Sequence, residues 1–163
     1  MRCFVQTLIL MTVLTLGINA QPSNVYLFFA PGGLTGYGRT EMTVHAGLGG
    51  EAIVGKGVGV GAELGAVGPR QYLADAVGLF SPNGYYHFVH GKNVKVDPFV
   101  TGGYTLLFRA GHVNLFNFGA GMNYWFHRRI GTRFEFRDHV YHNYATLHYW
   151  GFRFGLALGG NAD

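Results

Sequence analysis

Apolar and polar residues alternate strictly in several parts of this chain, and the segment 130–140 shows the pattern most clearly. One face of that segment carries mainly isoleucine, phenylalanine and valine, and the other carries arginine, glutamate and histidine. Successive side chains of a β-strand point to opposite faces of a sheet, so a period of two predicts strands and not helices. The same period recurs over 41–49, 57–66, 116–126 and 149–158. The sequence therefore predicts an all-β protein.

Glycine fills most of the polar positions in these segments. The chain has 27 glycines in 163 residues, aromatic residues make up 16% and charged residues only 12%. A soluble β-sandwich also alternates, but its polar face carries side chains suited to water, such as lysine, glutamate and serine. Strands with an apolar face and a small or polar face are typical of membrane-spanning barrels, which present the first to lipid and the second to their interior.

The first 20 residues have the three parts of a secretory signal peptide. Arg2 supplies the positive charge, residues 8–16 form an apolar run, and Ala20 is the small residue before the expected cleavage point. The apolar run is shorter than the ~20 residues of a membrane-spanning helix. We expect removal of residues 1–20, which contain the single cysteine, and a barrel domain formed by residues 21–163.

Eight segments carry strand patterns, and their number fits a closed barrel. They lie near 24–30, 40–49, 56–66, 75–90, 95–109, 112–127, 129–142 and 146–158. Pro31-Gly32-Gly33 and Gly49-Gly50 are expected to be turns that end the first two strands. The segment 75–90 contains Ser81-Pro82-Asn83-Gly84, and we interpret it as one strand because bacterial barrels have an even number of strands. The predicted fold is an eight-stranded antiparallel up-and-down transmembrane β-barrel.

Several classes of function find no support in the sequence. The formal net charge of +4 is small and dispersed, which excludes a nucleic-acid partner. Ser81 and His87 share a strand face but lie about 20 Å apart at ~3.3 Å per residue, too far for proton transfer. His87 and His90, like His139 and His142, are three residues apart and point to opposite faces of a strand. We therefore expect that the protein is not an enzyme and that it binds neither a metal ion nor another cofactor.

Six charged side chains fall on the polar faces and form the candidate site. They are Glu41, Glu63, Arg133, Glu135, Arg137 and Arg153. Carboxylates and guanidiniums enclosed in one narrow barrel are expected to pair, since an unpaired buried charge costs several kcal/mol. Side chains just fill the interior of an eight-stranded barrel. We interpret the six residues as a structural plug of the lumen, and a gated ion path is the alternative.

Aromatic side chains dominate the opposite faces of the last two strands. Those expected to face lipid are Phe134, Phe136, Trp150, Phe152 and Phe154. In water they would form an apolar patch well above the few hundred Å² found on soluble monomers. This argues against a third possibility, a soluble lipocalin-like ligand-binding barrel, which also has eight antiparallel strands.

Three stretches resemble the small outer-membrane β-barrel domain family. Residues 117–125, NFGAGMNYW, lead into residues 129–138, RIGTRFEFRD, and are similar to the glycine-rich strand and aromatic hairpin of its C-terminal half. Residues 96–104, VDPFVTGGY, resemble another of its strands. The resemblance covers about residues 40–158. In residues 149–156, the spacing of tyrosine, glycine, phenylalanine and leucine looks like the family's assembly signal, here displaced from the end of the chain.

The family comprises eight-stranded barrels related in architecture to those of OmpA and OmpX. The resemblance implies a monomeric protein of the bacterial outer membrane, folded by the barrel-assembly machinery and in contact with outer-membrane lipid and lipopolysaccharide. It specifies no activity. Our leading hypothesis is a non-enzymatic barrel with a structural or surface-interaction role. A narrow ion or small-solute channel is the second hypothesis.

Overall fold

A ring of eight antiparallel strands forms the whole described structure apart from short connections. The computed structural model describes residues 21–89, 94–109, 111–143 and 146–159. The strands are β1 (Gln21–Gly36), β2 (Arg39–Gly55), β3 (Val58–Pro69), β4 (Val77–His87), β5 (Val96–Phe108), β6 (His112–His127), β7 (Ile130–His142) and β8 (Thr146–Gly159). Each strand pairs with the next, and β8 pairs with β1, which closes the barrel. The predicted eight-stranded up-and-down architecture is confirmed.

A short 3₁₀ helix, Leu73–Asp75, precedes β4. No helix in the described ranges is long and apolar enough to cross a membrane.

The alternating strand directions give the barrel two distinct ends. The end at which β1 begins and β8 ends is called the terminal end here, and it also holds the connections β2–β3, β4–β5 and β6–β7. The other four connections lie at the opposite end, called the far end.

Two hairpins have two-residue turns in which both residues adopt positive φ. Tyr37 and Gly38 have φ of 50° and 72° at the far end, and Lys56 and Gly57 have φ of 48° and 80° at the terminal end. Positive φ at both positions is the signature of a type I′ turn, whose twist matches that of the paired strands. The connection between β6 and β7, residues 128–129, is equally short. At these three connections little of the chain extends beyond the barrel wall.

The predicted turn at Pro31-Gly32-Gly33 is wrong, because these residues lie inside β1. Gly32 pairs with Gly151 on β8, where the two backbones approach closely. A Cβ atom at Gly32 would lie 2.0 Å from the carbonyl oxygen of Trp150. The glycine therefore marks a close contact between strands and not a reversal of the chain.

The predicted turn at Gly49-Gly50 is also wrong, since β2 continues to Gly55 and the chain reverses at Lys56-Gly57. Gly49 pairs with Tyr26 on β1 and faces the lumen. A Cβ atom there would lie 2.5 Å from Cζ of the tyrosine ring. The same arrangement of a bulky inward ring beside a glycine recurs elsewhere. At Gly49 the ring that occupies the space beside the glycine belongs to the neighbouring strand.

The segment predicted at 75–90 forms one strand, β4, as expected. Its register with β3 runs without a shift, so Asn83-Gly84 marks neither a hairpin nor a bulge. The predicted signal peptide, residues 1–20, lies outside the described residues.

Inward and outward side chains alternate along the strands as the sequence pattern predicts. Phe134, Phe136, Phe152 and Phe154 point outward with between 39% and 53% of their surface exposed. Trp150 is partly exposed on the same face. The inward side chains are buried in the lumen, where an apolar cluster accompanies the charged residues; it comprises Tyr26, Phe28, Ala30, Trp125 and Ala157.

Candidate functional site

The carboxylate of Glu63 on β3 lies at the centre of the polar lumen. It accepts hydrogen bonds of 2.8 and 2.9 Å from Nη1 of Arg153 on β8 and one of 2.9 Å from Nη1 of Arg137 on β7. The hydroxyl of Tyr26 on β1 donates a further bond of 2.7 Å. Donors from three strands thus converge on one buried acid, which compensates the cost of removing its charge from water.

Glu135 lies between two arginines on the same face of β7. Arg133 donates from Nε to one carboxylate oxygen at 3.1 Å, and Arg137 donates from Nε to the other. Residues two apart share a strand face, so the spacing Arg-x-Glu-x-Arg places the three charges in a row. Because the charges in this row alternate in sign, the three ionised groups can lie side by side in the lumen.

Arg133 extends the network towards the terminal end. Its Nη1 donates to Glu51 on β2 at 3.3 Å. Its guanidinium carbon lies 4.0 Å from the ring centroid of Phe99 and 4.3 Å from that of Tyr26. Cation–π contacts of this kind stabilise a guanidinium that has lost its water. The arginine is therefore held by charge and by aromatic faces together.

His87 forms the end of the network near the terminal end. Its Nδ1 lies 2.8 Å from both carboxylate oxygens of Asp97, and its Nε2 contacts Glu51. Asn123 donates to Asp97 at 3.1 Å. Both ring nitrogens face carboxylate oxygens, so the imidazole is placed to donate a hydrogen bond from each of them.

Neutral side chains continue the network towards the far end. Nε2 of His139 lies 3.3 Å from Nη2 of Arg153, and its Nδ1 lies 2.9 Å from the hydroxyl of Thr105. The Ser81 hydroxyl lies 2.8 Å from that of Thr105, and the Asn117 amide donates to both hydroxyls at 3.0 Å. Ser81 and His87 therefore belong to opposite ends of one network and do not contact each other.

The far end of the lumen contains a small cavity. A cavity of about 10 Å³ lies there, between residues of β2, β7 and β8 that include His45, His139 and Tyr149. A volume of this size holds about one water molecule.

The structure brings together five of the six charged residues predicted for the lumen and leaves out Glu41. Glu41 has the inward register of β2, but it lies near the far-end turn and is exposed. Glu51, ten residues further along β2, is 3% exposed and supplies the β2 carboxylate of the network. The prediction missed Glu51 because it ended β2 at residue 49, although the alternation continues through residue 51.

The histidines are distributed over both faces of the wall. His139 faces the lumen, whereas His142 is exposed and contacts Thr146 at 2.9 Å. His148 is on the outer face, where its Nδ1 lies 2.7 Å from a carboxylate oxygen of Asp138. Within the described part of the chain, no group of three or more His, Cys, Asp or Glu side chains is arranged to hold a metal ion.

The sequence matches no protein-family model and no curated protein. Solved structures, in contrast, include several barrels with the same architecture. The N-terminal β-barrel domain of OprF from Pseudomonas aeruginosa is 15% identical with a TM-score of 0.62, over 86% of this chain and 99% of that one. Neisserial surface protein A is 8% identical with a TM-score of 0.67, over 83% and 96%. OprG from Pseudomonas aeruginosa is 12% identical with a TM-score of 0.57, over 90% and 99%.

At these identities the shared property is the fold. The chain has the fold of the small eight-stranded outer-membrane β-barrels, which confirms at this level the OmpA/OmpX-type architecture inferred from sequence. The predicted transmembrane β-barrel fold class is likewise confirmed, and the outward aromatic band is the surface that such a barrel presents to lipid.

Proposed function

We propose that this protein is a non-enzymatic integral protein of the bacterial outer membrane, with a structural role and a lumen closed by its own side chains. The observation that carries the proposal is the unbroken chain of polar contacts from Asp97 near one end of the lumen to Ser81 near the other. All the side chains that make these contacts are buried.

Ion pairing across the lumen supports closure in preference to conduction. An ion that enters must displace a guanidinium from a carboxylate, and each stranded partner then remains charged in a low-dielectric interior. The barrel also has the strand number at which side chains just fill the interior. A permeant ion would therefore meet a barrier at Glu63, where Arg137 and Arg153 converge.

A narrow ion channel is the second candidate. The observation in its favour is that the lumen is lined by polar side chains over most of its length. Conduction would require a concerted movement of the arginine side chains, since the ion-paired arrangement fills the middle of the lumen.

The proposal includes the setting of the barrel. We propose that the chain is exported through the leader and cleaved after Ala20. The barrel is then folded by the assembly machinery and is a monomer among outer-membrane lipid and lipopolysaccharide. The leader's composition and the outward aromatic band support them. At three of the seven connections a two-residue turn leaves few residues to contact a partner, and this supports a structural role in preference to a surface-interaction role. N-terminal sequencing of membrane-extracted protein tests the cleavage, and a chain that still starts at Met1 contradicts it.

Current measurements in planar lipid bilayers test the closed lumen. Purified folded protein is expected to give no sustained, well-defined conductance, while a large porin measured in the same bilayers gives steady steps. The Glu135→Gln variant provides the decisive comparison because it changes the charge of the network with little change in volume. Reproducible steps in the unaltered protein, with a charge selectivity that shifts in Glu135→Gln, would support the channel and overturn the closed barrel.

A further inference from the structure

The side chain of His87 joins two acids that belong to different strands. His87 is the last residue of β4 and is 0% exposed. Its Nδ1 lies 2.8 Å from both carboxylate oxygens of Asp97 on β5, and its Nε2 contacts Oε1 of Glu51 on β2. Strand β3 lies between β2 and β4 in the ring, so the contact with Glu51 passes over an intervening strand. One imidazole therefore connects three strands at the terminal end of the lumen.

The residues around the imidazole leave room for this connection and fix the ring. Gly59 lies on the intervening strand β3, and a Cβ atom there would lie 2.9 Å from Oε1 of Glu51. The glycine thus keeps open the space through which the carboxylate reaches His87. The buried ring of Phe99 packs against the imidazole, with 5.6 Å between the ring centroids. Both ring nitrogens are therefore held at their carboxylates in water-free surroundings.

The charged and titratable groups around His87 come from four strands. They are Glu51 on β2, Tyr85 on β4, Asp97 on β5 and Arg133 on β7. Arg133 donates to Oε2 of Glu51 at 3.3 Å, so this acid has a second cation. Asp97 differs, because no lysine or arginine of the described ranges contacts it, and its other partner is the uncharged amide of Asn123. The counter-charge of Asp97 is therefore supplied by the imidazole.

Both contacts of the imidazole require a hydrogen atom on the nitrogen. A protonated imidazole donates from both nitrogens, whereas the neutral ring has one donor and one acceptor. Loss of the proton would place a nitrogen lone pair against a buried carboxylate oxygen of Glu51 or Asp97. We propose that protonated His87 is a pH-dependent clamp, which joins β2, β4 and β5 at the terminal end and releases one of the two acids at alkaline pH.

The clamp is separate from the closure of the lumen. Its release removes a contact at the terminal end, whereas Glu63 and its two arginine partners in the middle of the lumen keep theirs. The inference therefore does not depend on whether the barrel conducts ions. A conducting lumen would refute the closed barrel and leave the clamp unaffected.

Nitrogen NMR of the histidine side chains tests the protonation directly in the folded protein. The ¹⁵N shifts of the two ring nitrogens distinguish the protonated from the neutral imidazole, and the contact with Phe99 assigns the signals of His87. We expect both nitrogens of His87 to carry hydrogen at about pH 7, above the ordinary histidine pKa of about 6.5, and one of them to lose it as the pH is raised to about 10.

Urea unfolding in vesicles measures the effect of the clamp on stability. Above about pH 6.5 the unfolded chain has lost the imidazole proton, whereas the clamp retains it in the native state. A native state that binds one more proton than the unfolded state loses up to about ten-fold in its folding equilibrium constant per pH unit. We expect the urea midpoint to fall between about pH 7 and about pH 10. His87→Gln cannot take up the proton, so its midpoint should be lower at neutral pH and fall less.

Two further variants complete the test. His139→Gln is the matched control, because Nε2 of His139 accepts from Arg153 and needs no second proton; the fall with pH should persist in it. Glu51→Gln retains His87 and provides an amide that can donate to a neutral ring nitrogen, so its midpoint should fall less than that of the unaltered protein. An unprotonated nitrogen on His87 at about pH 7 would overturn the clamp. So would an equal fall with pH in the unaltered protein, His87→Gln and Glu51→Gln.

Discussion

Glu63 on β3 and Arg137 on β7 are joined across the full width of the barrel, with 2.9 Å between Oε2 and Nη1. In a ring of eight strands, β3 and β7 are four strands apart, which is the largest separation possible. Both side chains are almost completely buried. The pair therefore links opposite walls directly, and its stability should be sensitive to the loss of either member.

Removal of a lumen arginine should destabilise the barrel strongly. We expect Arg133→Leu and Arg137→Leu each to lower the free energy of unfolding by about 3–5 kcal/mol, because a buried carboxylate loses its partner. Urea unfolding of the protein folded in vesicles measures the effect. Arg128→Leu is the matched control, since Arg128 is exposed in a turn and its loss should leave the midpoint nearly unchanged. Equal midpoints for all three variants would refute the inward assignment of the β7 arginines.

The two glutamates of β2 should behave differently although both have inward register. Glu51→Leu removes the carboxylate shared by Arg133 and His87, and we expect a loss of about 3 kcal/mol or more. Glu41→Leu changes an exposed position and should have little effect on the unfolding midpoint. The same urea titration compares the two variants. A larger loss for Glu41→Leu would restore the original sequence-based assignment.

Adjacent glycines in β2 allow a steric test of the lumen. Gly49→Ala places a methyl group 2.5 Å from the ring of Tyr26, whose hydroxyl is held by Glu63 and Tyr85. Overpacking of this kind typically costs about 1–3 kcal/mol. Gly50→Ala is the control, because the nearest atom to its Cβ is 3.9 Å away. Similar unfolding midpoints for both variants would show that Tyr26 does not lie over Gly49.

Closure of the ring should make the folded protein resistant to SDS. Strand β1 pairs with β8 from Asn24 to Thr35, so neither strand leaves a free edge along that length. Unfolding requires the ring to open, which breaks hydrogen bonds that have no substitute in lipid. We expect unboiled and boiled samples to migrate differently in SDS gels. Identical migration at all temperatures would argue against a closed barrel.

The sequence was sufficient to predict the fold because the period of two is a local property. Each strand has to present opposite faces to lipid and lumen, and the eight alternating segments record this requirement directly. Glycine was ambiguous for a physical reason. At Gly32 and Gly49 it permits a close approach or accommodates a neighbouring ring, and both uses look in the sequence like a turn.

The sequence predicted most of the residues of the candidate site, but it did not predict which of them contact one another. Alternation assigns Arg133, Glu135 and Arg137 to one face without knowledge of the other strands. Which acid meets Arg133 depends on how far each strand extends along the barrel axis, and this is set by the register between β2 and its neighbours. An error of a few residues in the end of β2 was therefore enough to select Glu41 in place of Glu51.

The charges in the lumen come from distant parts of the chain, and this has a consequence for assembly. Glu51 and Glu63 belong to β2 and β3, whereas the three arginines belong to β7 and β8. A sheet that lacks its last two strands holds Glu63 without its two arginines and leaves Glu51 with His87 but without Arg133. A register slip by one residue would turn the arginines outward into lipid. The buried charges are thus neutralised only when all eight strands are present in the correct register. The network therefore makes truncated and misaligned barrels less stable than the correctly folded one.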